Sequence, residues 1–335
     1  MHVGYLRGGP HLQRLLDEGV STHYLDPLGN SDPRLIWRIH QLIRCVRPDL
    51  IQTWLTQMDI LGGFVACWSR IPFVLSERTA AEFYTTHWKD RVRVALGKRA
   101  AAIVANSKGG IDYWSAQAHS MEQIRCIIPN AVPFDEIEAA APIESREIAS
   151  VPFDELVLFA GRMIPIKNLD RLIPALISVL TKRSSTIAVL LGDGPLAEEV
   201  VRTVALAGLT HRLRVLPFSD RLFGWLKRAS VFVSVSQFEG NPNTVLEAIA
   251  CGCPLVVSDI SAHREFLDEE SAGFVSGQSS DSIAAGILDA LENRHAALER
   301  AERARRRIAA RSLVAVARQY LDLYSEILQD AGKVS

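Results

Sequence analysis

Short apolar, mostly β-branched runs alternate with helical stretches along the whole chain: Leu50 to Thr53, Phe73 to Leu75, Ala102 to Val104, Leu156 to Phe159, Ile187 to Leu190, Val231 to Val235 and Leu255 to Val257. Strands separated by helices are joined in parallel, so this order predicts an α/β chain with parallel sheets. At 335 residues the chain exceeds what one core supports, which predicts two domains. Pro133 to Asp154, rich in Pro, Ala and acids, separates them. The expected division is a first domain over 1–135, a linker over 136–154, a second domain over 155–311 and a C-terminal helix over 312–335 that crosses back to the first domain.

Three strand ends carry the chemistry. The run Leu156 to Ala160 ends in Gly161-Arg162-Met163-Ile164-Pro165-Ile166-Lys167-Asn168 before a helical pattern that begins at Leu169. Arg162 can hold a phosphate bidentately, and Lys167 supplies a point charge near the helix entry. Ile187 to Leu191 runs into the tight turn Gly192-Asp193-Gly194-Pro195. In open parallel sheets ligands bind outside such carboxyl ends. The third is Phe238-Glu239-Gly240-Asn241-Pro242-Asn243-Thr244-Val245-Leu246-Glu247-Ala248, in which Gly240 to Asn243 favour turns and Asn243 or Thr244 can cap the apolar run Val245 to Ala250. Backbone amides at such a helix start attract phosphate, whereas Glu239 and Glu247 alone would repel it. A nucleotide sugar resolves the conflict, its hydroxyls donating to the carboxylates while its phosphates sit on the amides. The alternative is a solvated loop acid at 239 and a first-turn acid at 247, with each turn ordinary β–α punctuation.

Together these motifs, with Ala250-Cys251-Gly252-Cys253-Pro254-Leu255-Val256-Val257-Ser258-Asp259, resemble the donor half of the retaining glycosyltransferases of family 4. Arg47-Pro48-Asp49-Leu50-Ile51, Ile103 to Ser107 and Ile127 to Val132 extend the resemblance through the first half. It implies a GT-B fold, two Rossmann-like domains with parallel sheets facing a cleft that closes by hinge motion. It also implies that Glu239 contacts donor-sugar hydroxyls beside the backbone of Asn241, Pro242 and Asn243, that Glu247 holds the ribose, and that Thr244 and Val245 lie next to the phosphates, with Gly161, Gly192, Gly194 and Gly240 shaping the donor site.

The chain departs from the family in two places. His2 to Leu6 reads as the family's second strand, so the first domain is expected to lack its first strand and helix and the chain to be short at its start; Arg7-Gly8-Gly9 as the usual Gly-rich loop would leave too short a helix after it. The loop after Phe73 to Leu75 has Ser76-Glu77-Arg78-Thr79 where many members carry a His, which makes Glu77 and Arg78 the acceptor-side candidates, with His87 read as a helix-surface residue.

Breaking the anomeric bond builds charge on the leaving diphosphate, and groups that bind it more strongly as charge grows lower the barrier. Arg162 and Lys167 are placed for that, with no cofactor and no metal required. The expected function is glycosyl transfer with retention from a nucleotide sugar to a glycan, lipid-linked or small-molecule acceptor, in cell-surface polysaccharide biosynthesis. An epimerase or phosphorylase on the same fold, and a nucleotide-sugar-binding protein with impaired turnover, are the competing readings. A net charge of −1 gives no reason to expect nucleic acid. The scattered cysteines Cys45, Cys67, Cys126, Cys251 and Cys253 form no metal pattern and fit reduced thiols in the cytoplasm. Apolar residues at 48% and charged ones at 22% fit an ordered globular chain without a membrane span, so any membrane association is peripheral, at the inner face. The cluster Arg303, Arg305, Arg306, Arg307 and Arg311 reads as a solvated face, and Trp37, Trp54, Trp68, Trp88 and Trp114 as core and helix-packing residues.

Overall fold

The computed structural model describes residues 1–9, 11–29, 32–79, 82, 84, 88–117, 123–148 and 152–334, the last four by backbone alone; His87 lies outside the described residues. The chain divides into two compact units, Met1–Ile128 with Arg318–Ser335, and Pro129–Ala317.

The first unit holds β1 (His2–Tyr5), α1 (Leu12–Asp17), β2 (Ser21–Tyr24), α2 (Arg34–Val46), β3 (Ile51–Trp54), α3 (Leu55–Ser69), β4 (Phe73–Glu77), α4 (Trp88–Gly97), β5 (Ala102–Ala105), α5 (Lys108–Gln117) and β6 (Ile124–Ile127). Its parallel strands form two sheets, β3-β4-β5-β6 and the pair β1-β2. Among the described residues β1 pairs only with β2 and β3 only with β4. A cavity of about 250 Å³ separates them, lined by His2 and Gly4 of β1, by Ile51 and Thr53 of β3, and by Leu42 and Ile43 of α2. The sheet of this unit is thus in two pieces, joined by side chains of α2 and α3 around Leu35, Ile39 and Val65.

The second unit holds α6 (Phe134–Ala139), α7 (Ser145–Ile148), β7 (Glu155–Ala160), a single 3-10 turn (Pro165–Lys167), α8 (Leu169–Lys182), β8 (Thr186–Leu191), α9 (Ala197–Leu206), β9 (Leu213–Leu216), α10 (Leu222–Arg228), β10 (Val231–Ser234), α11 (Asn243–Ala250), β11 (Leu255–Ser258), α12 (Ser261–Arg264), β12 (Gly273–Val275), α13 (Ser280–Glu292) and α14 (Arg294–Arg307). The last helix, α15 (Leu313–Val334), begins here, and from Arg318 onward belongs to the first unit. Successive residues of β7 enter opposite cores: Leu156, Leu158 and Ala160 pack on one face, Val157 and Phe159 on the other. A sheet covered on both faces has no use for alternation, which is why β7 and β8 read as unbroken apolar runs. The strand order is β12-β11-β10-β7-β8-β9, all parallel. The chain enters at β7, builds outward to β9, then returns to the other side of β7. The helices after β7 and β10 therefore lead to opposite ends of the sheet, and its crevice opens at the loops that leave these two strands.

Two expectations need correction. Residues 136–148, expected as linker, carry α6 and α7, and Ile137, Ile143 and Ile148 are buried in the second unit's core. Their widely spaced isoleucines vanish in an averaged composition. Of the five early tryptophans only Trp114 is buried; Trp37 and Trp68 are 60% and 61% exposed, and Trp54 and Trp88 are also exposed.

Candidate active site

The loops after β7 and β8 are laced together by backbone. Gly161 N–H donates to Leu191 O at 3.0 Å, Met163 N–H to Asp193 O at 2.8 Å, and Leu196 N–H to Met163 O at 3.1 Å. This closeness needs glycine. Gly192 sits at φ 144° and Gly194 at φ 152°; a Cβ on Gly192 would overlap the Gly161 carbonyl, and one on Gly194 would lie 2.5 Å from Met163 O. Gly194 thus supports the loop and does not itself line the cavity beside it.

That cavity, about 300 Å³, is bounded by Gly161, Arg162, Gly192, Asp193, Phe218 and Thr244. The Arg162 side chain is exposed and makes no hydrogen bond or ion pair among the described residues. Asp193 and Phe218 were not singled out by sequence. Phe218 follows β9, whose Leu-Arg-Val-Leu pattern hides a strand behind a cation.

On the other side of the switch point, Lys167 Nζ meets Glu239 Oε1 at 2.5 Å. The 3-10 turn ends at Asn168, held at φ 61°, whose Nδ2 donates to Val235 O at 3.1 Å and Gly277 O at 2.7 Å. Gln237 N–H donates to Ile166 O at 2.9 Å. These bonds bring together two residues distant in sequence, a cation from the loop after β7 and a carboxylate from the loop after β10. Ser236 Oγ donates to the same Glu239 oxygen at 2.6 Å.

The turn Gly240 to Pro242 leads into α11, which starts at Asn243 with Pro242 in the cap position and no side-chain cap. Asn243 and Thr244 lie inside the helix and cap nothing, and the Asn243 side-chain oxygen accepts instead from Asn130 Nδ2 at 2.5 Å. Asn130 also donates to Asn241 O at 3.2 Å, so it sets the turn. Val245 is buried in the core, so only its backbone is open to a ligand. Glu247 lies beyond the first turn of α11 and so does not complement its dipole. It is half-buried with no protein partner among the described residues, and burial pushes its carboxyl above the usual range. A desolvated carboxylate without a donor is an acceptor waiting for a ligand hydroxyl.

The first-unit candidates divide. Glu77 is fully buried and is not open to an acceptor. Its Oε2 accepts from Arg93 Nη1 at 2.8 Å and Trp114 Nε1 at 2.9 Å, and its Oε1 from Thr79 N–H at 2.9 Å and Tyr84 Oη at 2.6 Å. Arg93 also reaches Asp59 at 2.7 Å. Burial pushes the Asp59 carboxyl up to about 6, against the pull of Arg93 and Thr53. Burial works against the Arg93 charge too, but the two carboxylates more than offset it and hold the guanidinium above its usual range. Arg78 donates to the Tyr320 hydroxyl and lies over the Trp54 ring at 4.3 Å. Strand position exposed Glu77 as a candidate; only packing shows that it balances a buried cation.

Among the described residues no group of three or more His, Cys, Asp or Glu is placed to hold a metal ion, and no helix is long and apolar enough to cross a membrane. Arg303 and Arg307 of the basic cluster bind Glu270 O and Asp268, so that face is partly tied to the protein.

Among curated proteins, the chain is similar to the Campylobacter jejuni N-acetylgalactosamine-N,N'-diacetylbacillosaminyl-diphospho-undecaprenol 4-alpha-N-acetylgalactosaminyltransferase, 28% identical over 59% of this chain and 53% of that one. It thus spans about half the length of that relative. A UDP-Gal:alpha-D-GlcNAc-diphosphoundecaprenol alpha-1,3-galactosyltransferase of Escherichia coli is 23% identical over 80% of this chain and 73% of its own. Among solved structures, Anabaena Alr3699/HepE in complex with UDP and glucose matches with a TM-score of 0.84 at 19% identity, covering 97% of this chain and 91% of that one. At that identity the likeness shows the fold, which is GT-B. The family profile described as glycosyl transferases group 1 matches residues 142–309, the segment that carries Arg162, Lys167, Glu239 and Glu247. With half of its length so matched, the chain belongs to the glycosyl transferases group 1 family.

Proposed function

We propose that the protein transfers a glycosyl residue from a nucleotide sugar to a glycan, lipid-linked or small-molecule acceptor, with retention at the anomeric carbon and without a metal or cofactor. The observation that carries this reading is the arrangement at the switch point, with the exposed Arg162 bordering a cavity on one side and the Lys167–Glu239 pair on the other. In the reaction the bond from the anomeric carbon to the diphosphate breaks, a bond to the acceptor oxygen forms on the same face, and the hydroxyl proton passes to the departing diphosphate. Arg162 and Lys167 stabilise that diphosphate as its charge grows. Glu239 accepts from donor-sugar hydroxyls, Glu247 from the ribose, and the backbone at Gly240 to Val245 lies against the phosphates. The UDP and glucose bound to the Anabaena protein support a nucleoside diphosphate sugar as donor. The undecaprenol-linked acceptors in the names of the Campylobacter and Escherichia relatives support a lipid-linked acceptor and a place in cell-surface polysaccharide biosynthesis.

The two carboxylates test the reading. Calorimetric titration with UDP should show Glu247→Gln weakening binding while Glu239→Gln spares it, because a ribose contact is made by the free nucleotide and a sugar contact is not. Equal losses in both variants would refute the division, and UDP that binds neither variant nor the wild type would remove the donor reading itself.

A lipid-linked acceptor places the protein at a bilayer, and the outer face of α2 and α3 suits a peripheral contact. It presents Trp37, Phe64 and Trp68, with His40 stacked on Trp68 at 4.7 Å. The two helices and their C-caps carry Arg34, Arg38, Arg44, Arg47 and Arg70, against one acid, Asp59, which is buried on Arg93. Arg34 is paired with Asp32 and Arg38 with Asp26, so Arg44, Arg47 and Arg70 are the cations left beside the indole rings to meet an anionic lipid surface. The protein should co-sediment with phosphatidylglycerol vesicles more than with phosphatidylcholine vesicles, and Trp37→Ser with Trp68→Ser should cut the bound fraction several-fold. Unchanged sedimentation of the double variant would dismiss this face.

A further inference from the structure

Glu239 is held more tightly than an ion pair with Lys167 requires. Ser236, buried at 1% exposure, donates its hydroxyl to Glu239 Oε1 at 2.6 Å. Lys167 donates to the same oxygen at 2.5 Å, so Oε1 is doubly occupied and Oε2 receives neither bond. Ser236 is itself fixed from behind. Ser258 Oγ at the end of β11 donates to Ser236 O at 2.6 Å, and the buried His263 ring on α12 approaches Ser258 O through Nδ1 at 2.8 Å. A carbonyl only accepts, so Nδ1 carries the proton. Burial disfavours a second proton, and Nε2 of the neutral ring is left without a partner. An orphaned buried nitrogen is costly, and a ring retained in that state at this point supports a role for its other nitrogen. On the flanks of Ser236, Val235 O and Gln237 N–H are bound by the segment after β7.

We infer that Ser236 is a positioning residue for Glu239, backed by Ser258 and His263, which together fix the carboxylate so that Oε2 is presented to the donor sugar. The reading rests on the sugar contact proposed for Glu239. A free Glu side chain would have to lose its rotamer freedom when the sugar binds; here the hydroxyl and the ammonium have already removed it. The hydroxyl also makes Oε1 the closed side of the group, which leaves one oxygen to discriminate among sugar hydroxyls.

The test is a double-mutant cycle on the full chain, with transfer from UDP-glucose or the donor that turns over fastest, and UDP binding measured by calorimetry. Ser236→Ala should lower kcat/KM by about 10-fold to 100-fold, the worth of one hydrogen bond to a charged group, with UDP affinity unchanged. Ser236→Thr keeps the hydroxyl and should recover most of the loss. In a Glu239→Gln background Ser236→Ala should add almost nothing, since its effect passes through the missing carboxylate. Additive losses, a fall in UDP affinity, or a harmless Ser236→Ala alongside a crippling Glu239→Gln would overturn the inference. Glu239→Gln with undiminished transfer would instead overturn the sugar contact on which it rests. For the rear of the chain, His263→Asn retains an amide donor and should keep activity, whereas His263→Leu should lower it in step with Ser236→Ala; equal activity of the two would confine positioning to Ser236.

Discussion

Arg162→Ala and Lys167→Ala should each lower kcat/KM by about 100-fold or more, the range found when one charge-assisted contact to a developing anion is removed. The two losses have different composition. Among the described residues Arg162 has no ion pair to give up, so its removal subtracts the proposed contact to the diphosphate and little else. Arg162→Lys should recover only part, because an ammonium cannot reproduce the two parallel bonds of a guanidinium. Lys167→Ala also strips Glu239 of one of its two donors, so the sugar-dependent step should suffer along with the leaving group. Steady-state kinetics with one accepted donor decide the matter, and near-wild-type turnover by Arg162→Ala would sink the assignment.

Arg93→Ala should cost about 3–5 kcal/mol of stability, the usual result of removing one partner from a buried ion pair. The cation is 1% exposed, and its loss leaves Asp59 and Glu77 charged in the core of the first unit. The pH dependence follows from the direction of shift. A carboxyl whose proton affinity is raised by folding carries no penalty below its unfolded pKa of about 4, and its penalty grows as pH rises. Asp59 already lies at about 6 with Arg93 present, and loss of the cation's pull moves it further up. The variant should therefore recover part of its loss between pH 7 and pH 5. Thermal unfolding followed by near-UV circular dichroism at both pH values is the check; a wild-type melting temperature at pH 7 would show that the triad carries no such load.

The seven runs read from sequence all fall on strands, six of them because a strand buried on both faces leaves an unbroken hydrophobic signature; β3, Ile-Gln-Thr-Trp, is the half-buried exception. The strands that escaped are those with polarity, charge or brevity against them: β2 reads Ser-Thr-His-Tyr, β6 Ile-Arg-Cys-Ile, β9 Leu-Arg-Val-Leu, and β12 only Gly-Phe-Val. The candidate-site loops of the second unit were legible for a similar reason. Glycines demanded by close backbone approach, and charges that follow strand ends, sit in one stretch of sequence each. What stayed hidden is pairing across loops. Nothing local to Ser236 says that its hydroxyl meets Glu239, and nothing near Asn130 says that it sets the turn at Asn241. Glu77 erred in the opposite direction, since a charged residue at a strand end looks open until Arg93, a helix away, is found on it.

The two-piece sheet of the first unit has a consequence for how that unit comes apart. Among the described residues the β1–β2 pair is held to the rest by side chains around α2 and by no ladder to β3, so its separation breaks no strand pairing between the two sheets. A seam of this kind lowers the free energy of a partial opening well below that of global unfolding. Amides of His2–Tyr5 and Ser21–Tyr24 should accordingly exchange with deuterium sooner than those of Phe73–Glu77 and Ala102–Ala105, and under load the unit should yield first along that line.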